Sequence, residues 1–241
     1  MIRFRREQAR DLLLLDAGNA FYSGAREDLN QLSQGRITVA AMNLMGYDMM
    51  ALGAYDLALD PGVLADRLAE AEFAVISSNV FVNGKLLLAP YAIVERAGRR
   101  IAVIGLTGAP RDAVAGVEVR DPVAAIKGAL SQIGADADLV VVLSNLGPTA
   151  EAELAQQVAG IDLIVGGGSG IPQREVSWQG RTAVVRAGGL GEYLGVTEVV
   201  ATGVTFQSVA LGADFVDDPE MAALRRRYEE EYSPASRVTP G

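Results

Sequence analysis

The sequence contains neither cysteine nor histidine. Without Cys there are no disulfides, no iron–sulfur clusters and no thiol nucleophile, a composition that fits either redox compartment. The missing His excludes more. Imidazole is the commonest side-chain ligand for transition metals and the commonest general base near neutral pH, so this 241-residue chain is left with carboxylate, amide, hydroxyl, Lys and Tyr chemistry. Cations are scarce too: 21 Lys and Arg face 30 Asp and Glu, a net charge of −9. That field repels phosphate backbones and anionic membrane surfaces, and no basic stripe with interleaved aromatics interrupts it, so nucleic acid is excluded as a partner. Arg225, Arg226 and Arg227 run straight into Glu229, Glu230 and Glu231, the mark of a solvated, internally paired helix face. No apolar run reaches the roughly 18 residues of a membrane span. The charged opening, Met1 to Glu7, leads into no apolar segment of the export-signal kind, so no signal peptide is expected.

What is present is 50% hydrophobic, in runs that alternate with helical periodicity. Leu12–Leu15, Met49–Leu52, Phe73–Ser77, Leu139–Leu143 and Ile161–Val165 read as strands; Thr38–Met45, Pro61–Glu70, Val123–Ile133 and Ala150–Val158 read as helices. Tyr91–Glu95 and Ile101–Leu106 flank Ala97-Gly98 as a hairpin. After residue 172 the pattern becomes mostly antiparallel, with strands at Arg174–Trp178, Thr182–Arg186, Tyr193–Val200 and Val204–Leu211 and a closing helix, Pro219–Tyr232. The expectation is one α/β domain over residues 1–232, two mixed sheets packed face to face with helices outside in an αββα sandwich, followed by a loose tail from Ser233.

In such layers function gathers at the carboxyl ends of the strands. Six segments fall there: Asp16–Gly24, Gly53–Asp56, Ser77–Asn79, Ser144–Gly147, Gly166–Pro172 and Ala187–Gly191. None holds Lys or Arg, which argues against an anion-binding cleft. Gly166–Gly170 is followed by Ile171-Pro172 rather than by a helix carrying Lys-Ser or Lys-Thr, which argues against a nucleotide loop. Asp48 and Asp162 stand at strand starts, away from this rim; Asp16 and Asp56 stand on it and read as loop anchors. Ser23, Ser144 and Ser169 have no neighbouring base in sequence to activate them.

The runs Leu12 to Asn19, Met42 to Asp56, Leu143 to Gly147, Gly160 to Gly170 and Ala187 to Gly195 resemble, in order and in register, the calcineurin-like metallophosphatase domain of the 5′-nucleotidase family. The resemblance covers about residues 8–232. It implies two metal ions held by Asp, Asn and His at the strand ends, clamping a phosphate and supplying a hydroxide nucleophile. Position by position the liganding side chains are replaced. The bridging Asp falls on Asn19; the Gly-Asn-His-Glu segment reads Gly53-Ala54-Tyr55-Asp56; the His of Leu-Ser-His-Leu-Gly is Asn145; and the Gly-His-Ser-His pair is Gly168 and Gly170.

The family's opening strand, with its Asp-x-His ligands, and its C-terminal nucleoside-binding domain find no counterpart. The expectation is therefore a catalytically inactive shell that binds no metal and no other cofactor. It would be retained as a structural or interaction subunit with a protein partner, in a family that leans to periplasmic or extracellular settings. The alternatives are a non-catalytic binding module for a small anion or nucleotide, and a residual phosphoesterase using the remaining carboxylates. Tyr55 is expected to plug the space the metals leave, and Trp178 and Tyr193 to lie in the core or on a strand face. With the opening strand lacking, Leu12–Asp16 is expected either to pair directly with a neighbour such as Ile161–Val165 or to accept a strand from another chain.

Overall fold

The computed structural model describes residues 2, 11–22, 28–112, 114–168, 171–212 and 214–233. Residues 3–10 and the tail beyond Ser233 lie outside the described residues.

β1 (Leu15–Asp16) is followed by α1 (Leu29–Leu32), α2 (Arg36–Met45), β2 (Met49–Ala51), α3 (Pro61–Glu70) and β3 (Ala74–Ile76). Gly46 ends α2 in the left-handed conformation, and Asp60 caps α3, accepting from Gly62 N with Pro61 in the first turn. β1, β2 and β3 form an all-parallel sheet in that order. β4 (Val80–Val82), β5 (Lys85–Leu86) and β8 (Val117–Val119) make a small antiparallel sheet that the hydrophobic pattern did not disclose. β6 (Tyr91–Arg96) and β7 (Arg99–Leu106) form the expected hairpin. α4 (Pro122–Ile133), β9 (Leu139–Ser144), α5 (Pro148–Gln157), β10 (Leu163–Gly166), β11 (Ser177–Gln179) and β12 (Thr182–Val185) complete a six-stranded mixed sheet ordered β11-β12-β10-β9-β7-β6. β13 (Tyr193–Val200) and β14 (Gly203–Ala210) form a separate hairpin, and α6 (Pro219–Glu231) closes the chain.

Alternation along the strands shows the layering. Ala102, Ile104, Val142, Ile164 and Val184 face α4 and α5, meeting Ile126, Ile133 and Leu154. Their neighbours Val103, Val141, Leu143, Leu163, Ala183 and Val185 face the other way, against Met49, Ala51 and Ile76. Met50 and Leu52 then face Val39, Met42 and Leu64 of the outer helices. The order is α, β, β, α, as expected. One difference stands out: the second layer is not a single mixed sheet. Among the described residues it consists of β1–β3 and the β13–β14 hairpin with no ladder between them, and Val199, Val204 and Phe206 of the hairpin reach the same core as Leu15 of β1. The expected pairing of Leu12–Asp16 with Ile161–Val165 is overturned, because β10 has β9 on one side and β12 on the other. Both of its edges are filled.

Candidate functional site

The carboxyl ends of β1, β2, β9, β10 and β12 converge, and the loops that leave them interlock by backbone contact. Gly53 shows how close the approach is: a Cβ there would lie 2.1 Å from Asn19 N and 2.2 Å from Asn19 Oδ1. No side chain fits between these turns. Asn19, in the left-handed region at φ 68°, accepts at Oδ1 from Tyr55 N at 2.8 Å. Asn145 spans the two layers, accepting at Oδ1 from Ala54 N at 3.0 Å and donating from Nδ2 to Ala17 O at 3.2 Å. Gly168, at φ 68°, lies beside it; a Cβ there would come 3.5 Å from Asn145 O. Gly170 lies outside the described residues, as do Ser23 and Ser169.

Asp56 is fully buried and anchors the loops from below. Oδ1 accepts from Phe21 N at 2.9 Å and Tyr22 N at 3.2 Å; Oδ2 accepts from Gly53 N at 2.8 Å and Asn19 N at 3.0 Å. Burial pushes its carboxyl up to about 7, against the opposing pull of the Gly53, Asn19 and Phe21 amides, and the charge of Asp16 adds to the rise. Among the described residues Asp16 accepts from Gly18 N, at 2.8 Å, and desolvation raises it to about 6. Asp48 and Asp162 hold strand starts, accepting from Leu14 N and Val140 N, as the sequence implied. Among the described residues no three His, Cys, Asp or Glu side chains gather where a metal ion would sit.

The two raised carboxyls set a pH dependence with a definite sign. Their folded pKa values lie above the unfolded one, so the stability they contribute is fully present below about pH 4 and is lost as pH rises through about 6 to 7. Between about pH 8 and about pH 5.5 Asp16 should add on the order of 1 kcal/mol, while the four N–H groups that Asp56 accepts favour its carboxylate and hold back its share. The thermal midpoint is therefore expected to rise on mild acidification, and to rise less in Asp16→Asn. A cation held between these carboxylates would reverse the trend, because it would favour their ionised forms.

Two expectations need correction. Tyr55 does not plug the site: it is 51% exposed, and among the described residues its hydrogen bonds are backbone ones, the N–H donating to Asn19 Oδ1 and the C=O accepting from Ala58 N. The bulk of a phenol ring finds no void there, because the loops themselves close on one another. Nor is the rim free of cations. A cleft of about 730 Å³ beside the site is lined by Tyr22, Tyr55, Leu59, Asp60, Arg111 and Asp112 among others, and Arg111 comes from the loop after β7. Trp178 is half exposed on the edge strand β11, and Tyr193 is half-buried at the start of β13.

The sequence reading missed a buried ion pair. Glu151, in the first turn of α5, and Arg186, just after β12, are 0% and 2% exposed and are bonded to one another. Arg186 Nη1 also donates to Gly167 O at 2.5 Å. The pair lies over Gly166, where a Cβ would come 2.4 Å from Glu151 Oε2. That contact is the physical reason for a glycine at this strand end. Burial pushes the Glu151 carboxyl up, and Arg186 opposes it.

No family model matches the chain. A probable 5′-nucleotidase of Treponema pallidum is 31% identical over 172 residues, covering 67% of this chain and 28% of that protein. The solved 5′-nucleotidase precursor of Thermus thermophilus superposes with a TM-score of 0.80 at 27% identity, covering 98% of this chain and 52% of that one. The sulfate thiohydrolase SoxB of the same genus superposes with a TM-score of 0.86 at 22% identity over 95% of this chain and 45% of its own. The fold is that of the calcineurin-like metallophosphoesterases. Within that class, sequence relationship places the chain with the metallophosphatase domain of the 5′-nucleotidase family. It spans under half the length of the curated relatives it matches.

Proposed function

We propose that this domain has lost phosphoester hydrolysis and serves as a structural or protein-interaction subunit of a larger assembly. The observation that carries the reading is where the oxygens at the converging strand ends point. Each oxygen of Asp56 already accepts two backbone N–H groups, and the Oδ1 atoms of Asn19 and Asn145 accept one each, so the hydrogen bonds that knit the loops compete with a cation for these oxygens. The lone pairs left on Asp16, Asn19 and Asn145 carry one formal charge between them, and a two-metal centre needs several charged ligands converging on each ion. Ala54 and Gly168 offer no ligand atom in their side chains. These residues do not fit a pair of dications. The chain also holds no His anywhere in its 241 residues to protonate a leaving group.

Restoring ligands one at a time tests the reading. Asn19→Asp and Gly168→His are each expected to leave hydrolysis of nucleotides and chromogenic phosphodiesters at background with Mn²⁺ present, because a two-metal clamp needs most of its ligands together. Gly168→His also forces a left-handed φ on a side chain that disfavours it. Metal-dependent turnover from either single variant would show that the centre is nearly intact.

A second reading, a non-catalytic module for a small anion or nucleotide, draws on Arg111 in the 730 Å³ cleft beside Tyr55. Asp60 and Asp112 share that lining, so its formal charge is negative. A thermal-shift series with AMP and with inorganic phosphate separates the two readings. A concentration-dependent rise that disappears in Arg111→Ala supports the binding module, and its absence supports the first reading.

A further inference from the structure

The cleft beside Tyr55 has walls that are already fixed by hydrogen bonds. On one side Asp56 Oδ1 holds Tyr22 N at 3.2 Å, and the helical turn after Tyr55 is closed by Ala58 N donating to Tyr55 O at 3.0 Å and Leu59 N to Asp56 O at 3.3 Å. On the other, the loop after β7 is held where Val117 N donates to Val114 O at 3.1 Å. The buried part of the lining is apolar. Leu57 and Leu59 are 2% and 7% exposed, and they share their core with half-buried Tyr22 and Val114. At about 730 Å³ the cleft is of small-molecule size.

Three charged side chains complete the lining: Asp60, Arg111 and Asp112. Asp60 already works as the cap of α3, accepting from Gly62 N at 2.8 Å. Arg111 and Asp112 are exposed, and among the described residues neither side chain has a hydrogen-bond or ion-pair partner, not even the other. One unpaired cation and one unpaired anion therefore border the same apolar cleft.

We propose that this cleft binds a small zwitterion with an apolar body, of the α-amino acid or dipeptide class. Arg111 takes the carboxylate, for which a guanidinium offers a fork of donors, and Asp112 takes the ammonium. The apolar body covers Leu57, Leu59 and Val114 beside the rings of Tyr22 and Tyr55. A phosphate fits this lining less well, because Asp60 and Asp112 both repel it, and a plain organic cation would leave Arg111 facing a like charge. Such binding requires neither the loss of hydrolysis nor a protein partner.

Thermal-shift titration of the purified chain tests this with L-phenylalanine and leucyl-phenylalanine as the zwitterions. Phenylalaninamide, which lacks the carboxylate, and N-acetylphenylalanine, which lacks the ammonium, are the controls. At least one zwitterion should give a saturable rise in Tm, and the two controls should bind about tenfold more weakly than L-phenylalanine. Comparison of the amino acid with the dipeptide identifies which of the two the cleft takes. Arg111→Ala should weaken the zwitterion about tenfold and no longer distinguish it from the amide; Asp112→Asn should no longer distinguish it from the N-acetyl compound. A merely structural effect of either substitution would weaken all the ligands alike, and both positions are exposed, so folding should be unaffected.

Three results overturn the proposal: no saturable shift with either zwitterion, controls that bind the parent as well as L-phenylalanine does, or AMP bound through Arg111 more tightly than both zwitterions, which would favour the anion module. Phosphoester turnover in the same preparation would overturn the loss of hydrolysis and leave the zwitterion site standing.

Discussion

Replacing Arg186 with leucine is expected to cost about 3 to 5 kcal/mol of folding stability, because it leaves the Glu151 carboxylate buried without its partner. Few surface ion pairs approach that figure, since water screens them. Here neither side chain reaches solvent, and the same guanidinium holds Gly167 O, so the loss is felt at the turn that follows β10. For a domain of this size the melting temperature should fall by roughly 10 °C. Part of the loss should return in the Glu151→Leu, Arg186→Leu double variant, which removes both charges from the core. Chemical denaturation of Arg186→Leu, Glu151→Leu and the double variant checks this. A single variant within about 1 kcal/mol of the parent, or a double variant worse than the sum of the singles, would contradict it.

The second large effect is at Asp56. Asp56→Ala strips the acceptor from four backbone N–H groups at once, and at about 1 to 3 kcal/mol for each buried donor left unmet the expected loss is on the order of 4 kcal/mol even with water entering. Asp56→Asn is the sharper test, because it keeps shape and volume. Each carboxylate oxygen accepts two N–H groups, so whichever way the amide turns, its NH₂ faces two donors. Asn should therefore rescue little of the loss. If Asn were tolerated within about 1 kcal/mol, Asp56 would not be the anchor that locks Asn19–Tyr22 onto Gly53.

Much of this architecture was legible before any coordinates. The period-2 and period-3.6 runs located most of the main strands and helices, because one alternating set of residues fills each of the three cores. The motif order located the converging loops, because their turns depend on glycines such as Gly53 that allow backbone to touch backbone.

What escaped was of two kinds. The β4–β5 hairpin was overlooked although its signal was present: Asn83 and Gly84 sit at φ 50° and 78° between two apolar stretches, a two-residue turn that joins strands. The Glu151–Arg186 pair escaped because its members are 35 residues apart and charged residues are ordinarily read as surface. A clue existed, since Glu151 stands three and seven residues before Leu154 and Val158, on the helix face that enters the core. Arg111 and the exposure of Tyr55 had no comparable signal, because both depend on how loops of unrelated sequence are brought together.

The most direct test of the central claim is metal content and turnover measured on one preparation. The chain is purified without chelator, its Mn, Fe and Zn are determined by elemental analysis, and hydrolysis of AMP and of bis-p-nitrophenyl phosphate is followed with added Mn²⁺. The expected result is substoichiometric metal and no hydrolysis above buffer, because Asp56 is saturated by backbone N–H groups and the remaining side chains at the strand ends offer too few charged ligands for a metal pair. Stoichiometric metal with turnover that a chelator abolishes would contradict the account.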